Sequence, residues 1–199
     1  MNYNEVVAQL KKYNDEYVHG TRTNANSIME ALCEKIEALP NNEKDELFIH
    51  MLSDICDTEK LSFLMNRGNG NVPYTLLILL NEWLLPRCND RLMPELRWFY
   101  QINKNNVKQV ENAYIFLQNA FDSKYADEKT YALFFEKNLA ELDSSLHELP
   151  IGLLISDEEY NSIVIQCEAV IDKIILPKEK IDLFVSLRKQ YDDFKQNIS

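Results

Sequence analysis

Apolar residues recur along most of this chain at steps of three and four, the spacing of one helical face. Val6, Leu10, Tyr13 and Tyr17 mark the first such stripe and predict a helix over residues 4–19, with Gly20 placed as its C-terminal cap. Ser27 and Glu30 have capping-box spacing and predict the start of a second helix carrying Ile28, Leu32, Ile36 and Leu39, ended by Pro40. Asn41 or Asn42 is positioned to cap a third, with Leu47, Phe48, Met51, Leu52 and Ile55 inward. A short fourth helix is expected over residues 59–66, then a loop over residues 66–71.

The pattern changes in residues 72–100. Leu76, Leu77, Ile78, Leu79 and Leu80 run together, followed by Trp83, Leu84 and Leu85. A helix apolar on nearly every side is enclosed by neighbours or by lipid. The run is too short for a bilayer, which takes about 20 apolar residues, and Asn81 and Glu82 interrupt it. A central core helix over residues 73–85 is therefore expected, with Pro73 in its first turn and Pro86 as its stop.

Helical stripes resume beyond it. Pro94 and Glu95 open a helix bearing Leu96, Trp98, Phe99, Tyr100 and Ile102, and residues 103–106 form a turn. Val107, Val110, Tyr114, Leu117 and Phe121 give the next stripe, widened by Ile115 and Phe116. Asp127 caps a long helix that Pro150 ends, and residues 151–155 are a link or one short strand. Ser156 and Glu159 form a second capping box, and Pro177 opens the last helix, through Ile181, Phe184, Leu187, Tyr191 and Phe194. No repeat of 30–45 residues is visible, so an irregular bundle is expected rather than a solenoid. The reading is all-α: a compact irregular bundle of about ten helices around the central one, a single domain over residues 1–199 with a soft division near 66–71. Only 4 glycines occur, which fits poorly with hairpins and their positive-φ turns.

Charge changes the functional picture. The net charge is −11, which disfavours nucleic acid and anionic membranes as partners. It is unevenly spread. Residues 61–110 hold six cations and three carboxylates, net +3, while the remainder is net −14. Flanking carboxylates paired with the central arginines are the simpler reading; an arginine recognition patch is the alternative.

Candidate chemistry is sparse. The 4 cysteines, Cys33, Cys56, Cys88 and Cys167, are far apart and lack metal-ligand spacing, so buried free thiols in a reducing cytoplasm are expected. The first residues show no apolar leader segment, and the Asn and Lys usage has a bacterial flavour. Glu16 and His19 have the spacing of a di-iron ligand pair, but the motif is not repeated as such a site requires. Gly68 and Gly70 lack both a third glycine and a preceding strand, and no nucleophile elbow occurs. No catalytic residue, cofactor or metal is assigned.

Two nominations remain. Arg91, Arg97 and Trp98 have the composition of an interface hot spot, and residues 98–100 are three consecutive aromatics that cannot all share one helical side. Glu82, among leucines and Trp83, is nominated as an acid in a pocket. The expected role is a non-enzymatic protein-interaction module, neutralising or regulating a basic protein partner. The alternative is a helical enzyme or small-ligand binder with a pocket beside the central helix.

Overall fold

A computed structural model of the chain describes residues 1–65, 72–149 and 151–198. Within them the protein is all-helical, with nine α-helices and no strand. They are α1 (Tyr3–His19), α2 (Arg22–Glu37), α3 (Asn41–Cys56), α4 (Tyr74–Asn89), α5 (Glu95–Asn103), α6 (Val110–Phe121), α7 (Glu128–Ser145), α8 (Asp157–Ile171) and α9 (Lys178–Ile198). The expected fourth helix is only a 3-10 turn, Ser62–Leu64. Residues 66–71, with their loop and soft division, and Pro150 as a helix stop lie outside the described residues. The backbone packs as two compact units, Met1–Ala120 and Phe121–Ser199.

In the first unit, α1 and α2 form a hairpin, α2 packs on α4, α4 on α5, and α3 on α5 and the 3-10 turn. Leu10, Met29, Ile36, Met51, Leu52, Leu76, Leu80 and Phe99 are fully buried among them. α6 joins through Phe116, edge-on to Phe99 with centroids 5.0 Å apart. The second unit packs α7 against α8 and α9. Its core is aromatic: Phe121 stacks on Phe134 at 4.1 Å, and Tyr160 on Tyr191 at 3.7 Å.

Several helix ends differ from expectation. Ser27 is inside α2, because Thr21 already caps it by accepting the Asn24 N–H at 3.2 Å. Asn41 is the first helical residue of α3 rather than its cap. An unanticipated capping box, Asn2 with Glu5, opens α1. The box of Ser156 and Glu159 and the Asp127 cap both form as expected. Residues 151–155 form no strand.

Pro86 does not stop α4, which runs on to Asn89. An interior proline removes one helical hydrogen bond, so something else must hold the last turn. Cys88 is buried there, and Arg87 and Trp83 are both tied to Asp45 of α3. α6 starts at Val110, leaving Val107 91 % exposed, and it buries Ala113, Phe116, Leu117 and Ala120. Tyr114 and Ile115 point outward. Two alanines on the inner side let the helix backbone approach closely, which the larger residues of the expected stripe would prevent.

Candidate functional site

α3 supplies an aspartate at each end, and each gathers a tryptophan and an arginine. Near the start of α3, Asp45 Oδ1 accepts from Trp83 Nε1 at 2.6 Å and from Arg87 Nη2 at 2.8 Å. The Arg87 guanidinium also lies 3.9 Å from the Trp83 ring centroid, a cation–π contact. Just past the end of α3, Asp57 accepts from Trp98 Nε1 at 2.8 Å and from Arg97 Nη1. Gln101 adds a bond from its amide nitrogen to the Cys56 carbonyl at 3.1 Å. The central arginines Arg87 and Arg97 are thus paired with carboxylates from earlier in the chain, the simpler of the two sequence readings.

That pairing overturns the exposure that the hot-spot nomination needs. Arg97 is 4 % exposed and Trp98 3 %, and Phe99 and Tyr100 are buried with them. All three consecutive aromatics reach the interior because α5 has neighbours on several sides: α3, α4 and, through Phe99 and Tyr100, α6. Arg91 alone of the three is exposed, in the α4–α5 connection. Its φ of 57° is left-handed, a region that non-glycine residues seldom occupy. Its backbone N–H is bonded to the Cys88 carbonyl at 3.0 Å.

Glu82 is exposed rather than enclosed. It stands on the one side of α4 that the bundle leaves open, together with Tyr74, 66 % exposed, and Ile78, 40 % exposed. This side forms a groove of about 220 Å³. Its floor and near wall are Tyr74, Leu77, Ile78, Asn81, Glu82 and Leu85; its far wall is Asn106, Lys108 and Gln109 of the α5–α6 connection. Tyr74, Ile78, Asn81 and Leu85 step by 4, 3 and 4, a seam along three helical turns.

Asn81 is the third of the four positions in that seam and is nearly buried. It exchanges hydrogen bonds with Asn103 of α5, donating at 3.0 Å and accepting at 2.7 Å. Asn103 also donates to the Phe99 carbonyl at 3.1 Å and accepts from Asn106 at 3.2 Å. A chain of three carboxamides therefore joins α4, α5 and the far wall. Sequence reasoning passed over Asn81. The signal was present: a carboxamide inside a helix apolar all round must find partners, because burying it without them costs free energy.

A second hollow, about 500 Å³, lies beside α1 and is lined by Lys11, Asn14, Asp15, Val18, His19, Lys60 and Phe63. Three of its seven lining residues are charged, Lys11, Asp15 and Lys60, and Lys60 is engaged by Asp54 at 3.5 Å.

The thiols are sheltered. All four cysteines are buried and outside any disulfide. Burial pushes Cys33, Cys88 and Cys167 up to about 12, with nearby glutamates adding to the effect and Lys137 opposing it at Cys167. Thiols held that far above neutrality are poor nucleophiles and poor metal ligands. Among the described residues no group of three or more His, Cys, Asp or Glu side chains is placed to hold a metal. Among the same residues no helix is long and apolar enough to cross a membrane. The chain matches no protein-family model, no curated protein and no solved structure.

Proposed function

We propose that this protein is a non-enzymatic protein-interaction module, and that the open side of α4 is where its partner docks. The observation that carries this reading is the exposure of Tyr74 and Ile78 on a helix whose other sides are buried. The bundle covers Leu76, Leu77, Leu80, Trp83 and Leu84 and leaves one apolar seam in solvent. Grooves of this kind receive amphipathic helices, whose anchors recur at steps of three and four.

Size separates this reading from the small-ligand alternative. Small-molecule pockets span roughly 300–1,000 Å³ and enclose most of their ligand. The α4 groove, at about 220 Å³, fits one or two protein side chains better. No arginine lines the groove with Glu82: Arg87 is engaged by Asp45 and Arg97 by Asp57.

Charge selects the partner class. With a net charge of −11 the chain attracts cationic proteins over a range set by salt, while the groove itself holds one carboxylate, Glu82, and one cation, Lys108. The partner is a basic protein presenting an amphipathic helix: apolar side chains enter the seam, and one Lys or Arg faces Glu82. Binding would neutralise or regulate that protein. The buried thiols, outside any disulfide, fit a reducing compartment, so the cytoplasm is the proposed location.

The test is site-specific photo-cross-linking in host cells, with a benzophenone side chain at Ile78 and a control at the exposed Ile165 of the second unit. The expected result is one discrete adduct from position 78 alone, whose cross-linked peptide is basic with apolar residues at helical spacing. Equal labelling from both positions, or an adduct through an acidic or unpatterned segment, would overturn the reading.

A further inference from the structure

We infer that Asn81 sets the register and polarity of the docked helix, by hydrogen bonding one carboxamide side chain, Asn or Gln, at the centre of its apolar stripe. This rests on the α4 groove being the docking site.

The inference follows from hydrogen-bond accounting. A carboxamide offers two N–H donors and two lone pairs. Asn103 uses all four: it donates to Asn81 and to the Phe99 carbonyl, and it accepts from Asn81 and from Asn106. Asn103 is fully buried, so its saturation is what burial requires. Asn81 has spent one donor and one lone pair on Asn103, which leaves one of each. It also lines the groove.

A purely apolar helix laid along Tyr74, Ile78 and Leu85 would strip water from those remaining positions without replacing it. Leaving a buried donor or acceptor unpaired is costly, whereas a carboxamide across the seam, able to donate or to accept, pairs with whichever of the two it meets. A single buried asparagine in an otherwise apolar helical seam fixes register in coiled coils by this same cost. Asn81 is suited to that task because Asn103 already holds its side chain in one orientation, so little freedom is lost on binding. The seam is nearly symmetric in its steps of 4, 3 and 4, and apolar contacts alone would accept a helix in several registers and both directions. The off-centre Asn81 breaks that degeneracy.

The probes are three synthetic helical peptides of Lys and Ala, with stripe positions at the first, fifth, eighth and twelfth residues. One carries Leu at all four. The others replace the fifth or the eighth Leu by Asn, one for each direction of docking. Affinities are measured against the wild-type protein and against the double variant Asn81→Leu/Asn103→Leu, which removes both amides together so that neither is left unpaired. The wild type should prefer one Asn peptide over the all-Leu peptide by about tenfold. The double variant should reverse that preference. In the wild type, the Asn81 side-chain amide resonances should shift with the preferred peptide and hardly move with the all-Leu one, a readout that holds even if the variant fails to fold. An all-Leu peptide preferred by the wild type, or unchanged Asn81 resonances with every bound peptide, would overturn the inference and leave the groove reading standing. No binding by any of the three would overturn both.

Discussion

The two tryptophans occupy equivalent chemistry in unequal surroundings. Each donates its indole N–H to an aspartate in or next to α3 that also holds an arginine. At Asp45 the arginine side chain is 27 % exposed and the aspartate 44 %; at Asp57 the values are 5 % and 25 %. A charge pair near the surface gains little, because water solvates its members almost as well when they are apart. A buried pair is different, since removing one member strands the other in a poor solvent. The Asp57 cluster therefore locks α3 to α5, and the Asp45 cluster trims the end of α4.

Substitutions should resolve this difference in order of size. Trp98→Ala removes a buried indole and should cost about 3–5 kcal/mol in urea unfolding, enough to threaten folding altogether. Arg97→Ala removes the buried cation facing Asp57, leaving that carboxylate the Trp98 N–H, and should cost about 3 kcal/mol. Arg87→Ala should cost about 1 kcal/mol or less. Equal losses for the two arginine variants would erase the distinction between the clusters.

A third α3 aspartate adds a pH-dependent test. Burial alone would raise the Asp54 carboxyl, but hydrogen bonds from Tyr3 and Thr58 and the nearby Lys60 outweigh it and hold the pKa below its ordinary value. A carboxyl lowered by folding adds stability above its unfolded pKa and loses it as pH falls through the folded one. The stability of wild type over Asp54→Asn should then be constant near neutrality and shrink in acid. A difference that grows as pH falls would reverse the sign.

The thiols give a kinetic test of how closed the interior is. With three of them pushed up to about 12, labelling of the native protein by a thiol reagent should be slow and should accelerate only under unfolding conditions. Rapid stoichiometric labelling of the folded protein would contradict the burial of all four.

Much of the fold was legible because local rules govern it. The first stripe, the Asp127 cap and the capping box at Ser156 need only residues within one or two turns of each other. The failures share a different cause. Pro86 reads as a helix stop until Asp45, 41 residues upstream, is seen to hold the turn beyond it. Arg97 and Trp98 read as a surface patch until Asp57 is brought to both of them. The stripe of α6 is rotated because Ala113 and Ala120, too small to mark a hydrophobic face, are what the core accepts. At the groove, Glu82 drew notice as a charge among leucines, while its neighbour Asn81 is the residue bonded into the interior. Which of the two turned inward depended on Asn103, and only the packing of α5 on α4 supplies that.

On the open side of α4 the contrast with the Asp57 cluster is Tyr74, Ile78 and Glu82, which stand in solvent. Ile78→Glu should leave stability within about 0.5 kcal/mol of wild type, since the side chain is already part-exposed. The decisive measurement is the affinity of this variant for the preferred Asn-bearing peptide, set beside that of the wild type. The expected result is a loss of about tenfold or more with the melting temperature unchanged. An affinity equal to that of wild type would mean that the partner docks elsewhere and that the exposed seam of α4 is an incidental gap in the bundle.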